Sequence, residues 1–166
     1  MKSLTVLILM VLITPGSLPA HVLAQDTNPK PSETVEAQNI AIAHRVIEEL
    51  WNGENIDVVD EVYADPFLAH SPANDQVGYF APGFWRDLIG IDFRQGLPDM
   101  HVMIEFIAAA GSYVVVHYTA QGTLTGPLSS TQSPTGQLES WDGVFVFRIE
   151  NGRIVEEWWY WVNDIM

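Results

Sequence analysis

Between Met100 and Val162 the chain runs as four apolar segments: Met100–Ala109, Tyr113–Gln121, Leu138–Ile149 and Arg153–Val162. Each is rich in Val, Ile, Phe, Tyr and Trp and is bounded by Gly, Pro or polar residues. Runs of this length and composition predict strands. The sharpest constraint lies between the last two, at Glu150-Asn151-Gly152-Arg153. Asn-Gly between two apolar runs predicts a two-residue hairpin turn, because both central positions need positive φ. Ala110-Gly111-Ser112 is a weaker turn, and residues 126–136 form a longer loop between strands.

The pattern ahead of these strands is helical. Val35, Ile42, Val46, Ile47, Leu50 and Trp51 mostly follow a 3.6-residue spacing, which predicts an amphipathic helix over Ser32–Asn52. Ser32 or Thr34 supplies its N-cap, and Gly53 is expected to stop it in the left-handed conformation. A second short helix is expected over Ile56–Tyr63, with Val58, Val59 and Val62 inward and Pro66 ending the region. A third starts near Pro82 and runs to about Phe93, with Phe84, Leu88 and Ile89 or Ile91 on its inner side. Helices first and an antiparallel sheet after them predict an α+β fold, with helices packed on one face of the sheet. A curved sheet closed by helices is a cone, and a cone open at one end is a pocket.

Residues 1–24 are read apart from the fold. Lys2 precedes an apolar run, Leu4–Ile13, broken by Pro15, Gly16 and Pro19 and followed by Val22-Leu23-Ala24. That is the layout of a cleavable signal peptide. The run is about half the ~20 residues that span a bilayer, so a permanent anchor is the weaker reading. The expected location is secreted or periplasmic. Residues 25–33, with Pro29 and Pro31, read as a flexible lead-in, and 34–166 as the domain. Seven basic residues against 21 acidic ones, a formal charge of −14, argue against a nucleic-acid partner. The chain has no cysteine, which excludes disulfides, thiol catalysis and thiolate-held zinc. The 166 residues contain no HExxH, GxSxG, GxGxxG or Walker pattern, so metalloprotease, serine-hydrolase and nucleotide-cofactor readings lack their usual signals.

Four fragments occur in a characteristic order: Leu97-Pro98-Asp99-Met100-His101, Gly122-Thr123-Leu124-Thr125-Gly126, Pro134-Thr135-Gly136, and Phe147-Arg148-Ile149-Glu150-Asn151-Gly152-Arg153-Ile154-Val155-Glu156-Glu157-Trp158. Together they resemble the SnoaL-like polyketide cyclase (ester cyclase) family of the nuclear-transport-factor-2-like superfamily, over roughly Gln38–Val162. The resemblance implies an α+β cone with N-terminal helices on the concave face of the sheet. It also implies a homodimer through the sheet, a hydrophobic pocket for a small apolar molecule, and no metal or organic cofactor. Characterised cyclases of this kind use an acidic pocket residue as acid/base in an intramolecular aldol closure. The superfamily also holds isomerases, dehydratases and epoxide hydrolases, so the fold leaves the reaction open.

Proton transfer next to a carbonyl needs a carboxylate in an apolar pocket, where desolvation raises its pKa toward neutrality. Strand alternation places Ile154, Glu156, Trp158, Tyr160 and Val162 on one face. The family commonly carries an Asp four residues after a Trp of this strand; Val162 stands there in this chain, and Asp164 is the candidate replacement. Asp142 shares a strand face with Val144, Val146 and Arg148. His70 stands where the family often has a pocket-wall histidine, and its ordinary pKa suits proton transfer. His70, Asp142 and Asp164 are therefore the candidate catalytic residues. Phe84, Trp85, Tyr118, Arg148, Trp158 and Tyr160 are the candidate substrate contacts. His44, His101 and His117 read as structural or surface residues. Among functions, a cofactor-free enzyme, a carrier of a small hydrophobic ligand and a dimeric interaction module all remain open.

Overall fold

The computed structural model describes residues 34–71, 76–128 and 133–162. Residues 1–33, which hold the expected signal peptide and lead-in, and Asp164 lie outside the described residues. Helix α1 spans Val35–Arg45 and continues as a wider π-helical stretch over Val46–Trp51. Thr34 caps it, its hydroxyl accepting from the Ala37 N–H at 3.2 Å. Helix α2 is Val58–Val62, and its three valines are all buried as the spacing predicts. Helix α3, Gly83–Asp87, widens into a π-helical stretch over Leu88–Phe93 and ends in the short α4, Arg94–Gly96. Its inward isoleucine is Ile89, fully buried, while Ile91 is exposed. No described helix is long and apolar enough to cross a membrane.

Six strands form one curved sheet: β1 Tyr63–Ser71, β2 Gln76–Phe80, β3 His101–Ala110, β4 Tyr113–Thr123, β5 Leu138–Glu150 and β6 Arg153–Val162. Their order across the sheet is β2-β1-β6-β5-β4-β3. The last four strands fall within one or two residues of their sequence boundaries. The first two were not legible, because Pro66 and the polar run around them carry no alternation. The sheet is also not wholly antiparallel, since β1 and β6 pair in parallel. These two strands are joined by most of the domain rather than by a hairpin, and such a connection permits parallel pairing. Asn151 and Gly152 both take positive φ, 52° and 77°, as the hairpin between β5 and β6 requires.

Gly53 departs from expectation, for its φ is not among the positive ones. Its role is close approach: a Cβ there would sit 2.8 Å from the carbonyl oxygens of Glu48 and Glu49. The end of α1 is tied instead by Asn52, whose side chain accepts from the Val102 N–H and donates to the Val102 carbonyl, both at 2.8 Å. Asn39 likewise donates to the Gly111 carbonyl at 3.0 Å, fixing the β3–β4 turn.

The helices pack on one face of the sheet. Between them lies a core of Val46, Leu50, Trp51, Val59, Trp85, Phe145 and Phe147 and their neighbours. Burying each such large side chain contributes about 1.5–3 kcal/mol. The opposite face carries no described helix and is termed the open face below.

Candidate functional site

Strand alternation on β5 sends Trp141, Phe145 and Phe147 to the core and Asp142, Val144, Val146 and Arg148 to the open face. Strand β6 does not alternate simply. Ile149 pairs with Ile154, but Arg148 pairs with Glu156, so Val155 is an extra residue. Such a bulge reverses the facing of every residue beyond it. Ile154 is buried as expected, yet Glu156, Trp158 and Tyr160 turn to the open face, and Glu157 and Trp159 turn to the core. The five residues expected on one face of β6 are therefore divided by the bulge.

The open face gathers most of the expected site. His70 Nε2 lies 2.9 Å from Glu156 Oε1, and Arg148 Nε donates to Glu156 Oε2 at 2.7 Å. The His70 ring stacks on Trp158, with centroids 4.6 Å apart and planes 9° from parallel. Burial pushes the Glu156 carboxyl up, but hydrogen bonds from Arg148 and His70 outweigh it and hold the pKa below the ordinary value. A carboxylate so held is a weak base. Asp142 is exposed and receives a long contact from the Thr119 hydroxyl at 3.4 Å, while the same hydroxyl donates to Glu105 at 2.9 Å. Tyr160 is exposed. His70, Asp142, Arg148, Trp158 and Tyr160 thus share a face, but it is not the enclosed face.

Phe84, Trp85 and Tyr118 occupy the interior. The interior also holds a carboxyl that was missed from sequence: Glu157, with 0% of its surface exposed. Its Oε2 accepts from the Tyr63 hydroxyl at 2.8 Å. Burial is the dominant effect on this carboxyl. The hydrogen bond from Tyr63 and the nearby Trp85 indole N–H pull the other way, and the net pKa is pushed up to about 8. Trp85 Nε1 lies close enough to favour the charged form but outside hydrogen-bonding geometry, so it and Glu157 Oε1 both remain unpaired. Burial and the adjacent carboxyl raise the Tyr63 hydroxyl well above its ordinary value, so it stays a proton donor.

Aromatic rings lead outward from this carboxyl. Trp85 meets Trp159 edge-on at 4.4 Å, Phe84 meets Trp159 at 5.9 Å, and Phe80 meets Phe84 at 4.5 Å. Phe80, Phe84 and Trp161 are only partly buried. Tyr118 lies further along the same interior, stacked on Phe145 at 4.8 Å. Its ring occupies the space of a missing side chain, since a Cβ at Gly143 would fall 2.3 Å from it.

A separate cleft of about 180 Å³ is lined by Trp51, Asn52, Gly53, Glu54, Arg94, Leu97, Pro98 and Met100. Arg94 donates there to the carbonyls of Leu50 and Gly53, which gives it a bracing role at the end of α1. Among the described residues no three His, Asp or Glu side chains gather in a metal-binding group.

The buried, largely protonated Glu157 is suited to exchange a proton near neutral pH, because a general acid/base works best with its pKa near the operating pH. The signal that could have found it is indirect. Arg148 and His70 on the open face call for an acid opposite them, which draws Glu156 outward and leaves Glu157 for the core.

The family model for SnoaL-like polyketide cyclase matches residues 41–163. Nothing among the curated proteins matches the chain. Among solved structures, a candidate SnoaL-like polyketide cyclase from Jannaschia sp. CCS1 is 22% identical with a TM-score of 0.68, over 80% of this chain and 91% of that one. A candidate polyketide cyclase from Acidithiobacillus ferrooxidans is 18% identical with a TM-score of 0.65, over 77% and 90%. A Mycobacterium tuberculosis epoxide hydrolase of the LEH-like type is 19% identical with a TM-score of 0.57, over 76% and 84%. These likenesses establish the nuclear-transport-factor-2-like fold.

Proposed function

The chain belongs to the SnoaL-like polyketide cyclase family, and from that premise we propose that it performs cofactor-free proton transfer on a small apolar carbonyl compound, with Glu157 as the acid/base. The observation that carries this is the enclosed Glu157 carboxyl, hydrogen-bonded to Tyr63 and walled by aromatic rings. In its ionised form Glu157 takes a proton from the carbon next to the carbonyl. The C–H electron pair moves into the carbonyl, giving an enolate. The enolate carbon then attacks a second carbonyl of the same molecule, which closes a ring; where a β,γ double bond extends the enolate, the γ-carbon instead takes the proton back from Glu157 and the double bond moves into conjugation, which isomerises the compound. In the ring closure Glu157 returns its proton to the new alkoxide. Removal of a second α-proton by Glu157, with return of that proton to the departing β-hydroxyl, would release water, form the α,β double bond and complete a dehydration.

The test is hydrogen–deuterium exchange at the α-carbon of 1-indanone in D₂O, followed by NMR. The wild-type protein is expected to accelerate exchange, with a rate that rises with pH and levels off above the Glu157 pKa. Glu157→Gln is expected to lower the protein-dependent rate by about 10²–10⁴-fold. Equal exchange with and without wild-type protein would remove the enzymatic reading. The full enclosure of Glu157 favours a second reading, a carrier without turnover; an unchanged small molecule co-purifying with the protein would support it.

The proposal extends to assembly and location. Met103, Phe106, Tyr113, Val115 and Tyr160 are all exposed on the open face, and an apolar patch of this kind suits burial against a second copy. Such a homodimer would cover the His70–Glu156–Arg148 network. Phe106→Lys is expected to shift the mass measured by light scattering from dimer to monomer. Export through residues 1–24 predicts a mature N-terminus near Gln25 in protein recovered outside the cytoplasm.

A further inference from the structure

The interior holds a polar group that the acid/base reading leaves without a task. Trp159 lies two residues beyond Glu157 on β6 and faces the same way. It is 7% exposed, and its Nε1 is fully buried with no hydrogen-bond partner. Its ring has little freedom to turn, because Trp85 meets it edge-on at 4.4 Å, Phe84 packs at 5.9 Å and Trp161 at 5.8 Å. Buried polar groups in folded proteins nearly always have a partner, and an exception calls for an explanation. An indole N–H only donates, so its partner must bring a lone pair. The half-buried rings of Phe84 and Trp161 next to it favour a partner that is apolar apart from that acceptor.

We infer that the Trp159 indole N–H is the donor that receives the carbonyl oxygen of the compound on which Glu157 acts. This rests on the reading of Glu157 given above and adds the residue that fixes the orientation. The donor and the carboxyl lie on one strand face, two residues apart, at a Cα spacing of about 7 Å. A carbonyl held at one end therefore presents its neighbouring carbon toward the other. When the α-proton leaves, the oxygen gains negative charge, and a donor already aimed at it stabilises that charge without reorganising. Trp85 Nε1 is placed differently, against the carboxyl of Glu157 itself, and steadies the acid rather than the substrate.

The test uses two probes of one shape, 1-indanone and indane, which differ by the carbonyl oxygen. In wild-type protein 1-indanone is expected to bind about tenfold more tightly than indane, the effect of one buried hydrogen bond. In Trp159→Phe that preference should collapse to within about twofold while indane binding stays near the wild-type value. Because the smaller ring can perturb packing, the wild-type protein is also observed directly. Its Trp159 indole N–H resonance in ¹⁵N-labelled protein should move downfield with 1-indanone and stay in place with indane. An unchanged preference in Trp159→Phe, or a resonance that ignores 1-indanone, overturns the assignment of Trp159. Binding of neither probe overturns it as well. The two proposals separate cleanly. If Glu157→Gln abolishes exchange while Trp159→Phe keeps the preference, only the Trp159 inference fails. If Trp159→Phe loses the preference while Glu157→Gln leaves exchange unchanged, Trp159 stands and the role of Glu157 fails.

Discussion

Replacing Glu157 with Gln tests the electrostatics on which the chemistry depends. Gln has nearly the same shape, and its side-chain oxygen can still accept from Tyr63, so the change removes ionisation with little else. In the fold the wild-type carboxyl has its pKa pushed from the ordinary 4.5 to about 8, chiefly by burial. Between those values the folded chain holds a proton that the unfolded chain has released. Stability must therefore fall as pH rises through this window and level off above it. At 1.36 kcal/mol for each unit of difference, the loss between about pH 5.5 and 8.5 is about 3 kcal/mol. Glu157→Gln lacks this slope, so the variant should gain about 3 kcal/mol on the wild type over the same interval. Carboxylates held below their ordinary pKa, such as Glu49, Asp99 and Glu156, have the opposite slope at acid pH, but they are common to both proteins and cancel. Urea unfolding followed by tryptophan fluorescence at stepped pH measures the difference. If the two stability curves run parallel from pH 5.5 to 8.5, Glu157 is already ionised in the fold and the acid/base argument falls.

Three further outcomes follow from the geometry. Tyr63→Phe removes the donor to Glu157 Oε2, which should cost about 1–3 kcal/mol in urea unfolding and shift the pH profile of exchange to higher pH, since that bond favours the charged carboxyl. Gly143→Ala drives a methyl into the Tyr118 ring and should destabilise the domain by about 1–3 kcal/mol or more, seen as a lower urea midpoint with an unchanged slope. Asn52→Ala frees the N–H and carbonyl of Val102 at the start of β3. It should cost about 1–3 kcal/mol and speed amide exchange at Val102 above that at Val114 on the adjacent β4.

The sequence by itself determined whatever depends on near neighbours along the chain. The spacing of Val46, Ile47 and Leu50 defines the buried side of α1. The Asn151-Gly152 turn sets its own backbone, because few other pairs accept two positive φ values. The Asp142–Arg148 face of β5 follows from alternation alone, and the ordered fragments from Leu97 to Trp158 carried the family. Which of two adjacent glutamates enters the core was decided elsewhere. It depends on the single extra residue at Val155, and that bulge is settled by pairing across strands. Arg148 and His70, remote in sequence, draw Glu156 to the open face, so Glu157 is left among the aromatic rings with Tyr63. Among the expected site residues Trp158 and Tyr160 changed face through that bulge, whereas Asp142, Arg148 and Tyr118 kept the faces that alternation gives them: period-two counting holds only while the register is unbroken, and register is a property of the assembled sheet.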